Sequence, residues 1–215
     1  MVDVIGTIER LSIVPVIVID DPAHAGPLAA ALEEGGLPCA EITFRTARAA
    51  EALRRITGGH PGMLAGAGTV LNESQAREAR DAGAAFVVSP GFSRPVVEYC
   101  LGHDLPVFPG VCTPTEVGVA LEMGVSVLKF FPAEAMGGVP TLQAISSPYR
   151  GVRFMPTGGI SPENVRRYLA LPNVIACGGS WMAPADWIAE EQFDRITATV
   201  RNAVMIAAEG DEARK

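Results

Sequence analysis

The chain has 215 residues, of which 48% are hydrophobic and 19% are charged. This balance suits one compact domain with a sizeable core and excludes an intrinsically disordered chain. The formal net charge is −7, from 24 acidic and 17 basic residues, so no overall basic surface is available to hold nucleic acid or an anionic membrane. Any anionic ligand must therefore be bound by a local site.

The cysteines and histidines give no sign of a metal site. The four cysteines and three histidines are scattered, and none has the spacing of a zinc site or a CxxC motif. The N-terminus carries acids where a signal peptide carries bases, and the apolar run 13–19 is too short to span a bilayer. We therefore expect a soluble, cytoplasmic protein with reduced thiols, no bound metal, and neither a nucleic acid nor a membrane as its partner.

Short apolar runs rich in β-branched residues alternate along the chain with longer stretches of helix-forming residues. This alternation predicts strands separated by helices. Eight strands are predicted, at residues 13–19, 39–45, 64–70, 85–89, 106–111, 125–131, 153–157 and 174–177.

Residues that commonly begin and end helices lie between these runs. We also expect an N-terminal helix to about residue 11 and a frayed tail over about residues 209–215. The predicted limits are Asp21-Pro22 to Gly35-Gly36, Asn72 to Gly83, Thr113-Pro114 to Gly124, and a further start at Ser161-Pro162-Glu163.

The alternation fits either a closed (β/α)₈ barrel or an open, doubly wound sheet. Eight units in so short a chain favour a minimal α/β TIM barrel that occupies the whole chain, residues 1–215, as one domain. Polar residues, glycine and proline gather after nearly every predicted strand. Since the active sites of TIM barrels lie at the C-terminal ends of the strands, these residues predict a site at that rim.

Lys129 is the most informative single residue. Only two of the 17 basic residues are lysines; Lys215 ends the chain, and Lys129 lies inside an apolar predicted strand. A buried lysine is rare because its ammonium is costly to desolvate. Burial generally lowers the pKa of lysines toward the neutral form that attacks carbonyls. Lys129 is therefore predicted to form an imine with a substrate, and a structural pair with a buried carboxylate remains the alternative.

The second predicted strand carries three polar residues on one face. By the two-residue period of a strand, Glu41, Thr43 and Arg45 share one face, while Ile42 and Phe44 share the other. In a barrel the polar face points inward. Glu41 is then a candidate proton carrier for imine chemistry, and Arg45 a candidate partner for a carboxylate. The alternative is an internal layer of ion pairs that supports Lys129.

Two pairs of glycines follow the last two predicted strands. Gly158 and Gly159 follow the seventh strand, and Gly178 and Gly179 lie before Ser180 after the eighth. The corresponding loops of TIM barrels often hold a phosphate through backbone N–H groups and a helix N-terminus. Glycine pairs also end strands for conformational reasons alone, which is the alternative interpretation of these residues.

At these residues the sequence resembles the bacterial 2-keto-3-deoxy-6-phosphogluconate (KDPG) aldolases, which are often active on 4-hydroxy-2-oxoglutarate as well. The resemblance extends from about Ile13 to about Trp187 and includes EITFRT at 41–46 and KFFPAE at 129–134. The other motifs lie at residues 14–18, 66–71, 89–91, 109–116, 156–160 and 178–181.

The resemblance implies a class I aldolase on a (β/α)₈ barrel that assembles as a homotrimer. Its substrates would be a small keto acid and a phosphorylated aldehyde, and it would need no metal or organic cofactor. It assigns the Schiff base to Lys129 and proton transfer to Glu41. The implied binding residues are Arg45, Thr69 and Thr157 at the pyruvate end, and Gly158, Gly159, Gly179 and Ser180 at the phosphate end.

Two other functions remain open at this point. A different sugar-phosphate isomerase or transferase on the same barrel would use Glu41 and the glycine pairs, but it would leave Lys129 without a covalent role. A binding or structural barrel without catalysis would bind ligand without turnover, and the polar face of the second strand argues against it.

Overall fold

The computed structural model describes residues 3–212, in which strands and helices alternate. The strands are β1 (Ile13–Ile17), β2 (Cys39–Thr43), β3 (Leu64–Gly68), β4 (Val87–Val88), β5 (Val107–Phe108), β6 (Gly110–Val111), β7 (Val127–Phe130), β8 (Arg153–Pro156) and β9 (Cys177–Gly179). The helices are α1 (Val4–Leu11), α2 (Ala25–Glu34), α3 (Ala49–Gly59), α4 (Glu73–Asp81), α5 (Arg94–Leu101), α6 (Pro114–Glu122), α7 (Gly138–Ser146), α8 (Val165–Leu169), α9 (Ala185–Ala189) and α10 (Phe193–Glu212), with a 3₁₀ turn at Pro22–His24.

The strands form a closed parallel barrel. Their order is β5-β4-β3-β2-β1-β9 in one sheet and β6-β7-β8 in the other. Parallel bridges from Phe154 to Val174 and from Thr157 to Gly178 join the two sheets on one side. On the other side β5 and β6 are two halves of one predicted strand, interrupted at Pro109, which has no N–H to donate. The predicted (β/α)₈ barrel is therefore confirmed, and an open doubly wound sheet is excluded.

Several strands end earlier than the apolar runs that predict them. β2 ends at Thr43, and β3 ends at Gly68 because Thr69 adopts a φ of 53° that a strand does not accommodate. The last strand lies further along the chain than the predicted range 174–177. Val174 forms a single bridge, whereas Gly178 and Gly179 pair with β1; they belong to β9 rather than to the loop after it.

The helix limits follow local hydrogen bonds. Asn72 caps α4, and Thr113 forms a capping box with Glu116 at the start of α6. The helix predicted to begin at Ser161 starts only at Val165, because the side chain of Asn164 hydrogen-bonds Ser161 N and Gly159 O instead. Helix α10 continues to Glu212, past the predicted start of the frayed tail; residues 213–215 lie outside the described part.

The buried residues form two clusters, one inside the barrel and one between the barrel and its helices. Ile42 and Phe44 belong to the outer cluster, as the alternation along β2 predicts. The inner cluster holds the first residues of several strands, including Cys39, Leu64 and Val127, together with Val4 and Ile8 of α1. Helix α1 therefore closes the N-terminal end of the barrel, which leaves the C-terminal end open. No helix within residues 3–212 is long and apolar enough to cross a membrane.

Candidate active site

Lys129 and Glu41 meet inside the barrel. Lys129 lies on β7 and Glu41 on β2, and the Nζ–Oε1 distance between them is 3.3 Å. Lys129 is 3% exposed and Glu41 is fully buried. The structure thus contains both the inward-facing polar residues that the sequence predicts and the ion pair that was the structural alternative for Lys129.

Glycine on the neighbouring strand β3 makes room for this pair. A Cβ atom on Gly68 would stand 2.1 Å from Oε1 of Glu41 and 2.5 Å from its Cγ, which is far inside contact distance. A side chain at this position would therefore displace the carboxylate.

The two carboxylate oxygens of Glu41 differ in their surroundings. Within residues 3–212, Oε2 of Glu41 is buried and has no hydrogen-bond partner. A purely structural buried ion pair is stable only when its remaining oxygens are also satisfied. An unsatisfied carboxylate oxygen beside an amine instead fits a group that exchanges protons with a substrate or a water molecule.

A cavity of about 610 Å³ lies at the C-terminal end of the barrel. Phe131 lines it, and its ring centroid is 5.3 Å from Nζ of Lys129. Lys129 and Glu41 themselves are not among the lining residues. The predicted site residues that line the cavity are Arg45, Thr157, Gly158, Gly159, Gly179 and Ser180.

Arg45 and Thr69 form the polar pair nearest the ends of β2 and β3. Arg45 Nε donates to Thr69 Oγ1 at 3.1 Å. Arg45 is the one charged residue among those that line the cavity, all of which lie in the described part of the chain. Thr69 does not line the cavity, but its hydroxyl orients a guanidinium that does, and the positive φ of this β-branched residue marks a conformation that costs free energy.

The two glycine pairs form one wall of the cavity. Gly158 and Gly159 have φ values of 100° and 77°, a left-handed turn that favours glycine. Gly178 lies so close to Thr157 that a Cβ atom on it would stand 2.3 Å from Oγ1 of Thr157. The structure thus brings the two predicted glycine loops together. The helices that follow, α8 and α9, have only five residues each.

The residues that line the cavity differ in part from those that the sequence predicts for the site. The hydroxyl of Thr43 donates to Ile17 O at 2.8 Å and so holds β1 to β2; it does not line the cavity. The apolar residues of the cavity wall were not predicted from the sequence, although Phe131 lies within KFFPAE and Trp181 follows Ser180. The missed lining residues are Val16, Val18, Phe131, Ile160, Trp181, Ala183, Pro184 and Ala185. Among residues 3–209, whose side chains the structure describes, no three His, Cys, Asp or Glu residues cluster as metal ligands would.

A buried lysine beside a carboxylate, below a cavity at the C-terminal rim of a barrel, defines the class of imine-forming barrel enzymes. Residues 4–199 match the family model described as KDPG and KHG aldolase. The chain is 48% identical to 2-dehydro-3-deoxy-phosphogluconate aldolase of Treponema pallidum, over 96% of this chain and 98% of that protein. It is 47% identical to KHG/KDPG aldolase of Escherichia coli K12, over 89% and 90%. The chain belongs to the KDPG and KHG aldolase family, as the sequence resemblance predicts.

Solved structures of the family share this barrel. KDPG aldolase of Legionella pneumophila, with pyruvate captured at low pH as a covalent carbinolamine intermediate, is 40% identical, with a TM-score of 0.90 over 94% of this chain and 98% of that one. The Zymomonas mobilis enzyme with 3-phosphoglycerate is 40% identical, with a TM-score of 0.87 over 94% and 95%.

Proposed function

We propose that this protein is a class I aldolase that cleaves 2-dehydro-3-deoxy-6-phosphogluconate reversibly to pyruvate and D-glyceraldehyde 3-phosphate. The observation that carries the proposal is the contact between Lys129 and Glu41, buried side by side next to a cavity with a cationic residue and a glycine wall. The family, whose relatives are named as aldolases of this kind, supports the same reaction.

Imine formation is the first step. The ammonium of Lys129 gives up a proton, for which Glu41 at 3.3 Å is the adjacent acceptor. The neutral amine attacks the C2 carbonyl carbon to form a carbinolamine, and loss of water leaves a protonated imine. Arginine at this position would remain protonated and would not form the bond.

Cleavage follows because the protonated imine accepts electrons. A base removes the proton of the C4 hydroxyl, the C3–C4 bond breaks, and its electron pair enters the imine to give an enamine. Glyceraldehyde 3-phosphate leaves, the enamine is protonated at C3, and water hydrolyses the imine to free pyruvate and Lys129. We assign the proton transfers to Glu41, directly or through water, since its Oε2 has no partner within residues 3–212. The imine is the electron sink, so this scheme uses no metal or organic cofactor.

The two ends of the substrate have different partners in this proposal. Arg45, held by Thr69, and Thr157 bind the keto-acid end, because a guanidinium pairs well with a carboxylate. Gly158, Gly159, Gly179 and Ser180 bind the phosphate through N–H groups and a hydroxyl. 4-Hydroxy-2-oxoglutarate, which has a second carboxylate and no phosphate, would be cleaved by the same steps to pyruvate and glyoxylate.

We also propose a homotrimer in the cytoplasm as the working form. The trimer rests on the family resemblance alone. The location agrees with the four cysteines, none of which forms a disulfide within the described residues, as expected in a reducing compartment. Light scattering coupled to size exclusion tests the assembly, and a mass other than three chains would contradict it.

A sugar-phosphate isomerase or transferase is the competing function, since the fold alone would suit it. It gives the contact between Lys129 and Glu41 no covalent role. Trapping of the imine separates the two.

The proposed reaction is tested by borohydride reduction in the presence of pyruvate, followed by intact-mass and peptide analysis. We expect a pyruvate-sized adduct on the Lys129 peptide of the wild type and none on Lys129→Met. Lys129→Met is also expected to lower kcat by about 10⁴-fold or more, because the covalent route is lost. A folded wild type without adduct would overturn the aldolase proposal in favour of the isomerase or transferase.

A further inference from the structure

Glu134 and Tyr168 are in contact with each other, and neither has a role in the reaction proposed above. Glu134 follows β7 in the segment that leads to α7, and Tyr168 lies on α8. The Tyr168 hydroxyl donates a hydrogen bond to Oε1 of Glu134, and the side chain of Tyr168 is fully buried. Burial raises the pKa of the Tyr168 hydroxyl and the Glu134 carboxylate raises it further, so the hydroxyl remains a donor.

This contact lies directly on the turn of Gly158 and Gly159. A Cβ atom on Gly159 would stand 2.7 Å from Cβ of Glu134. The backbone N–H of Glu134 also donates to Gly158 O at 3.0 Å. Tyr168 comes shortly after the same turn in sequence, so its bond to Glu134 ties α8 to the segment on which the turn rests.

The carbonyl oxygens of Gly158 and Gly159 both accept hydrogen bonds from residues that do not line the cavity. Gly158 O accepts from Glu134 N, and Gly159 O accepts from Asn164 Nδ2 at 2.9 Å. In a trans peptide the C=O and the following N–H point in opposite directions. The amides of Gly159 and Ile160 therefore point away from Glu134 and Asn164, and both residues line the cavity.

We infer that Glu134 is a positioning residue for the phosphate end of the substrate, and that it acts through Tyr168 on the turn of Gly158 and Gly159. This inference rests on the proposed function and deepens it. Glu134 contacts no reacting atom in this scheme. It fixes the orientation of backbone N–H groups that would bind a phosphate, so losing it should weaken phosphate recognition and leave imine chemistry unchanged.

The test compares kinetics on two substrates, 2-dehydro-3-deoxy-6-phosphogluconate and the phosphate-free 4-hydroxy-2-oxoglutarate. For Glu134→Ala and Tyr168→Phe we expect KM for the phosphorylated substrate to rise about five- to tenfold, the effect of one lost hydrogen bond. We expect kcat to stay within about twofold, and KM for the phosphate-free substrate and borohydride trapping of pyruvate to stay unchanged.

Two variants serve as controls. Glu134→Gln keeps an oxygen that accepts from Tyr168, so it should restore KM toward the wild-type value. Glu163→Ala removes another carboxylate of this loop, which accepts a hydrogen bond from the hydroxyl of Ser161. It is not among the nearest neighbours of either glycine, so its KM should equal that of the wild type. Tyr168→Phe keeps the buried ring, and thermal melting verifies that it is folded.

The outcomes separate this inference from the aldolase proposal. If wild-type protein neither traps pyruvate nor turns over either substrate, the proposed function is wrong and the role of Glu134 is wrong with it. If the wild type is active but the folded Tyr168→Phe has an unchanged KM, or if KM rises equally for both substrates, the positioning role alone is overturned.

Discussion

At the scale of single residues, burial of Lys129 beside Glu41 carries a cost in stability. Removing two charges from water costs several kcal/mol, and their attraction recovers it only when the remaining polar atoms are satisfied. Oε2 of Glu41 is not satisfied by any residue in the described part of the chain. The contact with Lys129 therefore satisfies only one of the two carboxylate oxygens, and under the proposed function the other is the one placed to exchange a proton.

Gly68 provides the sharpest test of this arrangement at the residue scale. Gly68→Ala would place a Cβ atom 2.1 Å from Oε1 of Glu41, so the carboxylate must move away. We expect kcat to fall about 100-fold, the lower end of what a displaced acid–base group costs. The rate of pyruvate release measures this change.

Gly91→Ala is the matched control for Gly68→Ala, because a Cβ atom on Gly91 would meet nothing within 4 Å. This variant should keep the wild-type kcat. A folded Gly68→Ala protein with wild-type kcat would show that the position of Glu41 does not govern the reaction.

The candidate site could be predicted in part from single residues. Lys129 is conspicuous because a lysine in an apolar strand has few physical explanations, and Glu41 and Arg45 follow from the two-residue period of β2. The contact between Lys129 and Glu41 was foreseen only as the alternative of an ion-pair layer that supports Lys129, because the sequence does not give which strands face each other across the barrel. Phe131 was missed for another reason, since an aromatic residue in an apolar run looks the same in a core as in a cavity wall.

At the scale of elements, the start of α6 is fixed by the carboxylate of Glu116. It accepts hydrogen bonds from Cys112 N at 2.8 Å, Thr113 N at 2.9 Å and Thr113 Oγ1 at 2.8 Å. Burial alone would raise the pKa of Glu116, but these hydrogen bonds, beginning with the one from Cys112 N, hold it below the ordinary value. The turn between β6 and α6 therefore depends on the ionised carboxylate.

Glu116→Ala should destabilise the protein by about 1–2 kcal/mol at pH 7, because the cap and its hydrogen bonds are lost. The pKa of Glu116 is lower in the folded than in the unfolded chain. Its stabilisation is therefore complete above the unfolded value and is lost as pH falls through the folded one. The stability difference between wild type and variant should shrink at acid pH, as denaturant unfolding at neutral pH and below pH 4 would measure.

Glu78→Ala is the control for Glu116→Ala, since Glu78 is an exposed residue on α4. It should change stability by less than about 0.5 kcal/mol at either pH. A difference between wild type and Glu116→Ala that grows toward acid pH would contradict the capping account.

At the scale of the whole molecule, the alternation of strand and helix, together with the short chain, was enough to favour the barrel, but not to give its details. The repeat supplies eight units, which favour closure in so short a chain, and the bridges from Phe154 to Val174 and from Thr157 to Gly178 show it. The break at Pro109 and the shift of the last strand to Cys177–Gly179 could not be predicted. Which residues of an apolar run form the ladder is decided by the neighbouring strand, not by the run itself. The same closure separates the molecule into one end sealed by α1 and one end that holds the cavity.

This separation predicts that the two ends can be perturbed independently. Ile8 of α1 is fully buried against the inner cluster, at the end of the barrel opposite the cavity. Ile8→Ala should lower the free energy of unfolding by about 2–4 kcal/mol, from lost burial and the space left behind. Below its melting temperature the variant should keep the wild-type kcat and KM, because the change lies away from the C-terminal rim, where the active sites of such barrels lie.

Ile5→Ala on the same helix, where the side chain is only half-buried, should cost less stability and is the matched comparison. A folded Ile8→Ala protein with an altered KM would mean that packing at the sealed end is transmitted to the cavity, and that the barrel interior acts as one unit.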